Sequence, residues 1–376
     1  MRVNMEHRAS VRNKGNKKSE IVRYIFEHKN ASKTELTKEL DLSMPTVLQN
    51  TKELLEQGIL LEAGEYESTG GRRAKSLTIN GKAAYAVGMD ITSDHVSFVL
   101  VNLKGEILKH VSQAKEFDRK LEYYTEVFDE MGQFIKTCCV DEKKILGVGI
   151  AVPGIIDREG KVLIKSHALK VESAGLQVFS QMSTYDLHFE NDANAAMAAE
   201  CVHVNEDAIY LFLSNTVGGA FRTQGSLFRG NNRKAGEFGH TIIVPGGREC
   251  QCGKKGCVNS YCSAQALEKA SGFSLEETMN RVAAKDPAVM GVWNEYLDYL
   301  AITVSNLRMM YDTDIVLGGD VSVYLEPYML DLGRRVMELN KFDSDISYLK
   351  NSKNKKGSAA AGAALYFVNR FMDEIL

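Results

Sequence analysis

The sequence predicts an α/β protein of two similar lobes, preceded by a small winged helical head. Three observations predict it. The first eighty residues hold two short capped helices, a tight break between them, and then a strand, a glycine-rich tip and a second strand. From Tyr85 onward, strand-like runs alternate with helical ones. The theme of a strand meeting a polar or glycine turn recurs in "AAYAVGMDI", "DAIYLFLSNTVGGAF" and "TDIVLGGD". That recurrence marks a partial internal duplication, with a cleft between the two copies.

In the head, "SEIVRYIFEHKN" places Ile21, Val22, Ile25 and Phe26 on one helical face. Ser32 followed by Glu35 has the spacing of a capping box, and Leu36 and Leu40 continue an apolar stripe. After a break at Asp41–Leu42, Ser43 can cap the next helix with Pro45 in its first turn. That helix is expected to bury Val47, Leu54 and Leu55, stop at Gly58, and expose Thr46, Gln49, Asn50 and Lys52. The order describes a helix-turn-helix with a wing whose tip is "GGRRAK". Gln and Asn can pair bidentately with adenine in the major groove. Arg72, Arg73 and Lys75 would add the salt-dependent phosphate contacts. Ser43, Pro45, Thr46, Gln49, Asn50, Arg72, Arg73 and Lys75 are therefore the candidate DNA-binding set. A helical packing module with a hairpin is the plainer alternative.

Bulk properties narrow the class. The chain has 376 residues, enough for two or three domains, with 44% apolar and 25% charged residues. No apolar run approaches the roughly 20 residues that span a bilayer. The start, "MRVNMEHRASVRNKGNKKSE", has no apolar segment of the secretory kind, so a cytoplasmic location without membrane partners is expected. A net charge of −3 is neutral on nucleic acid, but residues 1–18 form a basic arm and Arg72 to Lys82 a second basic cluster. Solvated segments would carry the same charges. The expected organisation is an arm over 1–18, a head over 19–80 and a body over 86–376. The body divides into a lobe of about 86–195 plus the C-terminal helix and a lobe of 196–365.

Within the body, "AAYAVGMDI", "HVSFVLVN" and "GEILKHV" read as a β-meander turning at Lys104–Gly105. "LEYYTEVFDEMGQFIKTCC" reads as a helix and "KILGVGIAVPG" as a buried strand. In "DLHFENDANAAMAAE" a strand gives way to an alanine-rich helix at Asn191 and Asp192. A buried Asp there serves as a general base or as the helix N-cap. Glu237 and His240, three apart in "AGEFGHT", can grip hydroxyls or a metal. Seven cysteines is an odd count, and three crowd into Cys250–Cys257, which speaks for a metal rather than disulfides. His240, Cys250, Cys252 and Cys257 suit a closed tetrahedral structural zinc site in a loop of residues 240–262. Cys262 is a poorer ligand because four are already present. Cys138, Cys139 and Cys201 read as ordinary cysteines.

Taken together, these motifs resemble the ROK family (repressors, open reading frames and sugar kinases), and the winged head resembles its repressor branch. The resemblance covers nearly the whole chain. Its most specific part is Gly239-His240 followed by Cys250-Gln-Cys252-Gly253-Lys-Lys-Gly256-Cys257. It implies an actin-like, hexokinase-type ATPase fold, homodimers or dimers of dimers, and a sugar held by Gly154, Asn191, Asp192, Glu237, His240 and the residue at Asn259. It implies that Asp192 would be the base of an active kinase.

Two departures bear on function. The family kinases read Asp-x-Gly-Gly-Thr at the first phosphate turn, whereas this chain reads Asp90-Ile-Thr92-Ser93-Asp94. Side chains obstruct the backbone approach that glycines allow. Asp94 would also repel a nearby phosphate charge by about 4 kcal/mol at an effective dielectric near 20. The second turn, "NTVGGAF", keeps Gly218 and Gly219 but has Ala220 for a third glycine. Asn259 stands where kinases carry a Glu. The expectation is a sugar-responsive repressor that binds operator DNA, takes a sugar or sugar phosphate in its cleft, holds zinc, and does not use ATP or act as an enzyme. The alternatives are an active sugar kinase with a fused head and a regulator that has lost its sugar.

Overall fold

Ser32 starts a helix in the way its spacing to Glu35 predicts. Its Oγ accepts the Glu35 N–H at 3.2 Å, and Glu35 Oε2 accepts the Ser32 N–H at 2.6 Å. This is helix α2 (Lys33–Glu39), which follows α1 (Lys17–His28) and strand β1 (Asn30–Ser32). Helix α1 buries Ile21, Val22, Ile25 and Phe26, the expected face. Asp41, at φ 53°, turns the chain into α3 (Met44–Glu56), where Ser43 Oγ accepts the Thr46 N–H at 3.3 Å. Helix α3 buries Val47, Thr51 and Leu54. Leu55, expected inside, is half-buried. Thr51 takes that place because its hydroxyl donates to the Val47 carbonyl at 2.7 Å, so no polar atom is stranded. Strands β2 (Leu60–Glu65) and β3 (Lys75–Ile79) pair antiparallel, and β1 lies on the other side of β3. At three residues, β1 is too short to show a period in the sequence.

The computed structural model describes residues 16–65, 75–201, 206–353 and 356–375. Arg72, Arg73 and residues 1–15 of the basic arm lie outside them, as does the side chain of Lys75. The head unit runs to Ala84 and also takes in Asn102–Lys104 and the chain from Val368. Within it, Arg23 Nε donates to Asp373 Oδ1 at 2.6 Å.

The second unit comprises Tyr85–Val101 and Gly105–Phe367. Its first sheet is built from β4 (Tyr85–Ile91), β5 (His95–Asn102), β6 (Ile107–Ala114), β7 (Ile145–Val152) and, after a side sheet, β11 (Leu187–Asn191). The order is β11-β7-β4-β5-β6, with β11, β7 and β4 parallel and β6 antiparallel to β5. Helix α4 (Leu121–Thr137) covers one face. The side sheet is β8 (Ile155–Ile156), β9 (Val162–Ser166) and β10 (Val171–Gly175). Helix α5 (Asp192–Glu200) follows β11.

The second large sheet, ordered β14-β13-β12-β15-β16, has the same kind of antiparallel pair beside parallel strands. It consists of β12 (Ala208–Leu213), β13 (Val217–Thr223), β14 (Ser226–Leu227), β15 (Asp314–Gly318) and β16 (Leu349–Asn351). Gly218 and Gly219 lie within β13, not in the turn where the sequence reading put them. Helices α6 (Asn259–Cys262), α7 (Ala264–Ser271), α8 (Leu275–Ala283), α9 (Pro287–Tyr311), α10 (Ser322–Leu325) and α11 (Met329–Leu339) belong to this lobe. Trp293, Leu297, Leu300 and Val304 of α9 fill its core.

Helix α12 (Ser358–Glu374) returns to the first lobe. Its alanines Ala359 and Ala363 share a small-residue cluster with Ala151, Ala193 and Ala196. A Cβ at Gly88 would strike the Ala360 carbonyl, and one at Gly149 the Ala363 carbonyl. Small residues on both sides let the α12 backbone lie directly on β4 and β7. Among the described residues, no helix is long and apolar enough to cross a membrane.

Candidate functional site

The site is assembled where β7 and β11 end and β13 begins. After β7 the chain turns at Gly154, with φ 133°, and a Cβ there would lie 2.5 Å from the Lys165 carbonyl oxygen. The Gly154 carbonyl accepts Asn191 Nδ2 at 3.0 Å, and Asn191 Oδ1 accepts the Asn194 N–H at 3.0 Å. Asn191, not Asp192, is therefore the N-cap of α5. That division leaves the Asp192 carboxylate at the first helical position, accepting the Ala193 N–H at 2.8 Å. Burial pushes the Asp192 carboxyl up to about 6, against the local backbone N–H groups, and the charge of Glu237 adds to the rise.

Gly154, Asn191, Asp192, Glu237 and His240 all line one cavity of about 450 Å³. Five of the six sequence-predicted sugar residues are thus brought together from three separate stretches of chain. Partial burial raises the Glu237 carboxyl, while Lys234 and Lys254 pull it the other way. Asn259 is not among the lining residues. It is buried at the start of α6, where its Oδ1 accepts the Val217 N–H at 2.7 Å and its Nδ2 lies 4.0 Å from Cys250 Sγ. An inward-facing amide of β13 claims the side chain that the sequence reading placed against the sugar. The sequence reading also missed Ser166, His167, Glu190, Arg229, Arg233, Lys234 and Lys254 on the cavity wall. The basic run "RGNNRK" just ahead of "AGEFGH" was the available signal.

His240 lies beside a second group. Its side chain, with those of Cys250, Cys252 and Cys257, offers four ligand atoms within 4.8 Å of one another, a set that can hold a metal ion. Cys250 Sγ is 3.6 Å from His240 Nδ1, and Cys252 Sγ is 3.8 Å from Cys257 Sγ. The loop closes through its own backbone: Ile243 N–H donates to the Gly256 carbonyl at 2.9 Å and Gly256 N–H to the Arg248 carbonyl at 2.8 Å. Lys254 Nζ donates to the His240 carbonyl at 2.6 Å. The other ring nitrogen of His240, Nε2, is 4.0 Å from Glu237 Oε2 on the cavity side. Cys262 is fully buried, 4.0 Å from Thr303 Oγ1, and is not one of the four.

A second cavity of about 570 Å³ borders the first, and Asp192 lines both. Asp90, Asp94 and Asp320 contribute to its wall. Asp90 Oδ1 is buried without a hydrogen-bond partner among the described residues. Burial holds that carboxyl well above its usual range, with Asp192 and Asp320 adding to the effect. The turn after β4 is tied up internally: Thr92 Oγ1 accepts the His95 N–H at 3.0 Å and donates to Asp94 Oδ1 at 3.1 Å. The turn after β12 reaches it through Asn215 Nδ2, 2.7 Å from Asp94 Oδ1. Ser214 in that turn donates to Asp320.

Comparison with known proteins matches residues 86–370 to the ROK family. The chain is 28% identical over 361 residues to the xylose repressor of Caldicellulosiruptor bescii, covering 89% of this chain and 90% of that one. It is similar in structure to a ROK family transcriptional regulator that is a homologue of the E. coli MLC protein. There the TM-score is 0.72, with 19% identity over 94% of this chain and 96% of that one. It is also similar to a ROK family glucokinase from Streptomyces griseus in complex with glucose and AMPPNP. In that case the TM-score is 0.66, with 21% identity over 75% of this chain and 99% of that one. The body accordingly has the two-lobed, actin-like fold of the sugar kinases. With the match extending over nearly all of that body, the chain belongs to the ROK family.

Proposed function

We propose that this protein is a sugar-responsive transcriptional repressor, with a winged helix-turn-helix head that binds operator DNA and a cleft that takes the effector. The observation that carries the reading is the convergence of Gly154, Asn191, Asp192, Glu237 and His240 on one cavity beside a phosphate turn that is filled by side chains. The relative named as a xylose repressor supports it. Gln49 is exposed on α3 and Thr46 and Asn50 are half-exposed, at the end opened by Ser43 and Pro45. Arg72, Arg73 and Lys75 would meet phosphates. The protein would act as a homodimer or a dimer of dimers on a pseudo-palindromic site. An effector that binds one arrangement of the two lobes better than another shifts operator binding by that difference in affinity.

The metal we assign to His240, Cys250, Cys252 and Cys257 is a structural zinc. Zn–S bonds of about 2.3 Å and Zn–N bonds of about 2.0 Å place tetrahedral ligands about 3.8 Å (S to S) and about 3.5 Å (S to N) apart. The separations of 3.8 Å and 3.6 Å agree with those edges. Bound there, the ion would order the loop that carries Lys254 and fix the ring of His240 beside Glu237.

The competing reading, an active sugar kinase, is favoured by Asp192 lining both cavities. The deciding experiment has two parts. Selection of duplexes from a random library by the purified protein should enrich a pseudo-palindrome, and a sugar or its phosphate should release it. Binding without sequence enrichment, or ATP-dependent turnover of a sugar that vanishes in Asp192→Asn, would overturn the repressor reading.

A further inference from the structure

We propose that Asn259 is a positioning residue that ties the metal centre to the wall of the cavity. Its amide donates to the Cys250 thiolate and accepts from the Val217 N–H, so that binding of the ion fixes where β13 begins. This role rests on the zinc reading of His240, Cys250, Cys252 and Cys257, and it adds what that centre does for the cavity beside it.

Asn259 lies two positions past the ligand Cys257, at the start of α6, and only 8% of it is exposed. A side-chain amide buried in this way needs partners at both of its ends. Oδ1 accepts the Val217 N–H at 2.7 Å, and Nδ2 is turned toward Cys250 Sγ at 4.0 Å, the outer reach of an N–H···S bond. Rotating the amide by half a turn would set N–H against N–H and oxygen against sulfur, so the two partners fix its orientation together. Metal binding makes the sulfur a thiolate and a stronger acceptor. Cys252 already draws on the backbone N–H of Lys254. Three thiolates around a divalent ion leave an excess of negative charge. A neutral donor disperses that charge, whereas a carboxylate of the same shape would add to it.

The accepting end of the amide acts on the cavity. Val217 opens β13 and lines the wall with Thr216 and Gly218. Its carbonyl is gripped as well: a Cβ on Gly239, the neighbour of the ligand His240, would strike it. Both polar groups of the Val217 backbone thus rest on residues that adjoin metal ligands. A second tie lies just past α6, where the Ala264 N–H donates to the Ser214 carbonyl at 2.8 Å. Residues 214–216, between β12 and β13, include the Asn215 that holds Asp94. A continuous set of contacts therefore runs from the metal loop through Asn259 and Val217 into that turn.

Two variants of the full-length protein separate the halves of the amide. Asn259→Asp keeps the shape and the acceptor, but removes the donor and adds a charge. Asn259→Ala removes both partners. Zinc affinity, measured by chelator competition, should fall about 10- to 100-fold in each, the range for groups that support metal ligands. With Co2+ in place of zinc, the thiolate-to-cobalt charge-transfer band should move in Asn259→Asp while the tetrahedral ligand-field bands persist. Hydrogen exchange of residues 214–219 at saturating zinc should match the parent in Asn259→Asp. It should be about 3- to 10-fold faster in Asn259→Ala, the size of one lost hydrogen bond. Stripping zinc from the parent should speed the same segment. An Asn259 that merely fills space would leave Asn259→Asp with the parent's zinc affinity and cobalt spectrum; that result overturns the proposal and leaves the zinc reading standing. Exchange at 214–219 that ignores zinc in the parent also overturns it. If the parent binds no zinc, the zinc reading falls and the proposal with it.

Discussion

Asn215 Nδ2 donates to Asp94 Oδ1 at 2.7 Å, and that bond joins the turn after β4 to the turn after β12. Asp94 is also 3.1 Å from His95 Nδ1. In a ROK kinase the first of these turns would have to close on phosphates with bare backbone. Here its space is taken by side chains that satisfy one another.

No ATP-dependent phosphorylation of any sugar is therefore expected in a coupled assay. The Asp94–Asn215 bond is partly exposed, so a double-mutant cycle of Asp94→Ala and Asn215→Ala should return a coupling of about 0.5–1.5 kcal/mol in urea unfolding. Strictly additive effects would show that the two turns are not held together in solution.

Asp192 makes stability depend on pH in a definite direction. A raised carboxyl pKa means that the folded protein binds this proton more tightly than the unfolded chain does. The resulting stabilisation is complete below the ordinary value of 3.8 and is lost as pH climbs through about 6. Asp90, also raised by burial, works in the same direction. Without effector, Asp192→Asn should be more stable than the parent at pH 7.5 by up to about 3 kcal/mol, and the difference should close near pH 4. Melting curves between pH 4 and pH 8 measure this, and a gap that widens toward acid would refute it. The same substitution should abolish sugar binding, so stability and function part company at this residue.

The cluster of His240, Cys250, Cys252 and Cys257 should carry about one zinc ion per chain by elemental analysis. Cys257→Ser should lose the ion and lower the melting temperature, and chelation should do the same to the parent. Cys262→Ser should keep its full complement of metal, because that thiol is buried beside Thr303 instead. Equal metal loss in the two variants would mean the ligand set is wrong.

On α3, Gln49 Nε2 donates to Glu53 Oε1 at 3.2 Å and Asn50 Nδ2 to the Thr46 carbonyl at 2.8 Å. Gln49 can exchange its exposed bond for a base edge, whereas Asn50 keeps one N–H and its oxygen free while bonded. Gln49→Ala should cost about 1–3 kcal/mol on the preferred operator and relax choice at one position. Arg72→Ala should weaken all duplexes alike and flatten the salt dependence. Fluorescence anisotropy at several salt concentrations distinguishes these effects. If neither variant changes operator affinity, the head contacts DNA elsewhere.

Local chemistry was legible in the sequence. The Ser32–Glu35 box, the Ser43 cap, the α1 core face and the tight Cys250–Cys257 spacing depend on residues within a few turns of one another, and such interactions are written in spacing. The replacement of the two turn glycines by Thr92 and Ser93, followed by Asp94, could be read in the same way. Tertiary structure alone decided the rest. Asn259 faces inward because the unpaired N–H of Val217, 42 positions away in the chain, requires an acceptor. Asn191 rather than Asp192 caps α5 because the Gly154 carbonyl fixes the other end of its amide. The Asp94–Asn215 bond likewise depends on which distant groups arrive at one place. Burial then sets whether a carboxyl such as Asp192 keeps its proton, and burial is a property of the assembled lobes.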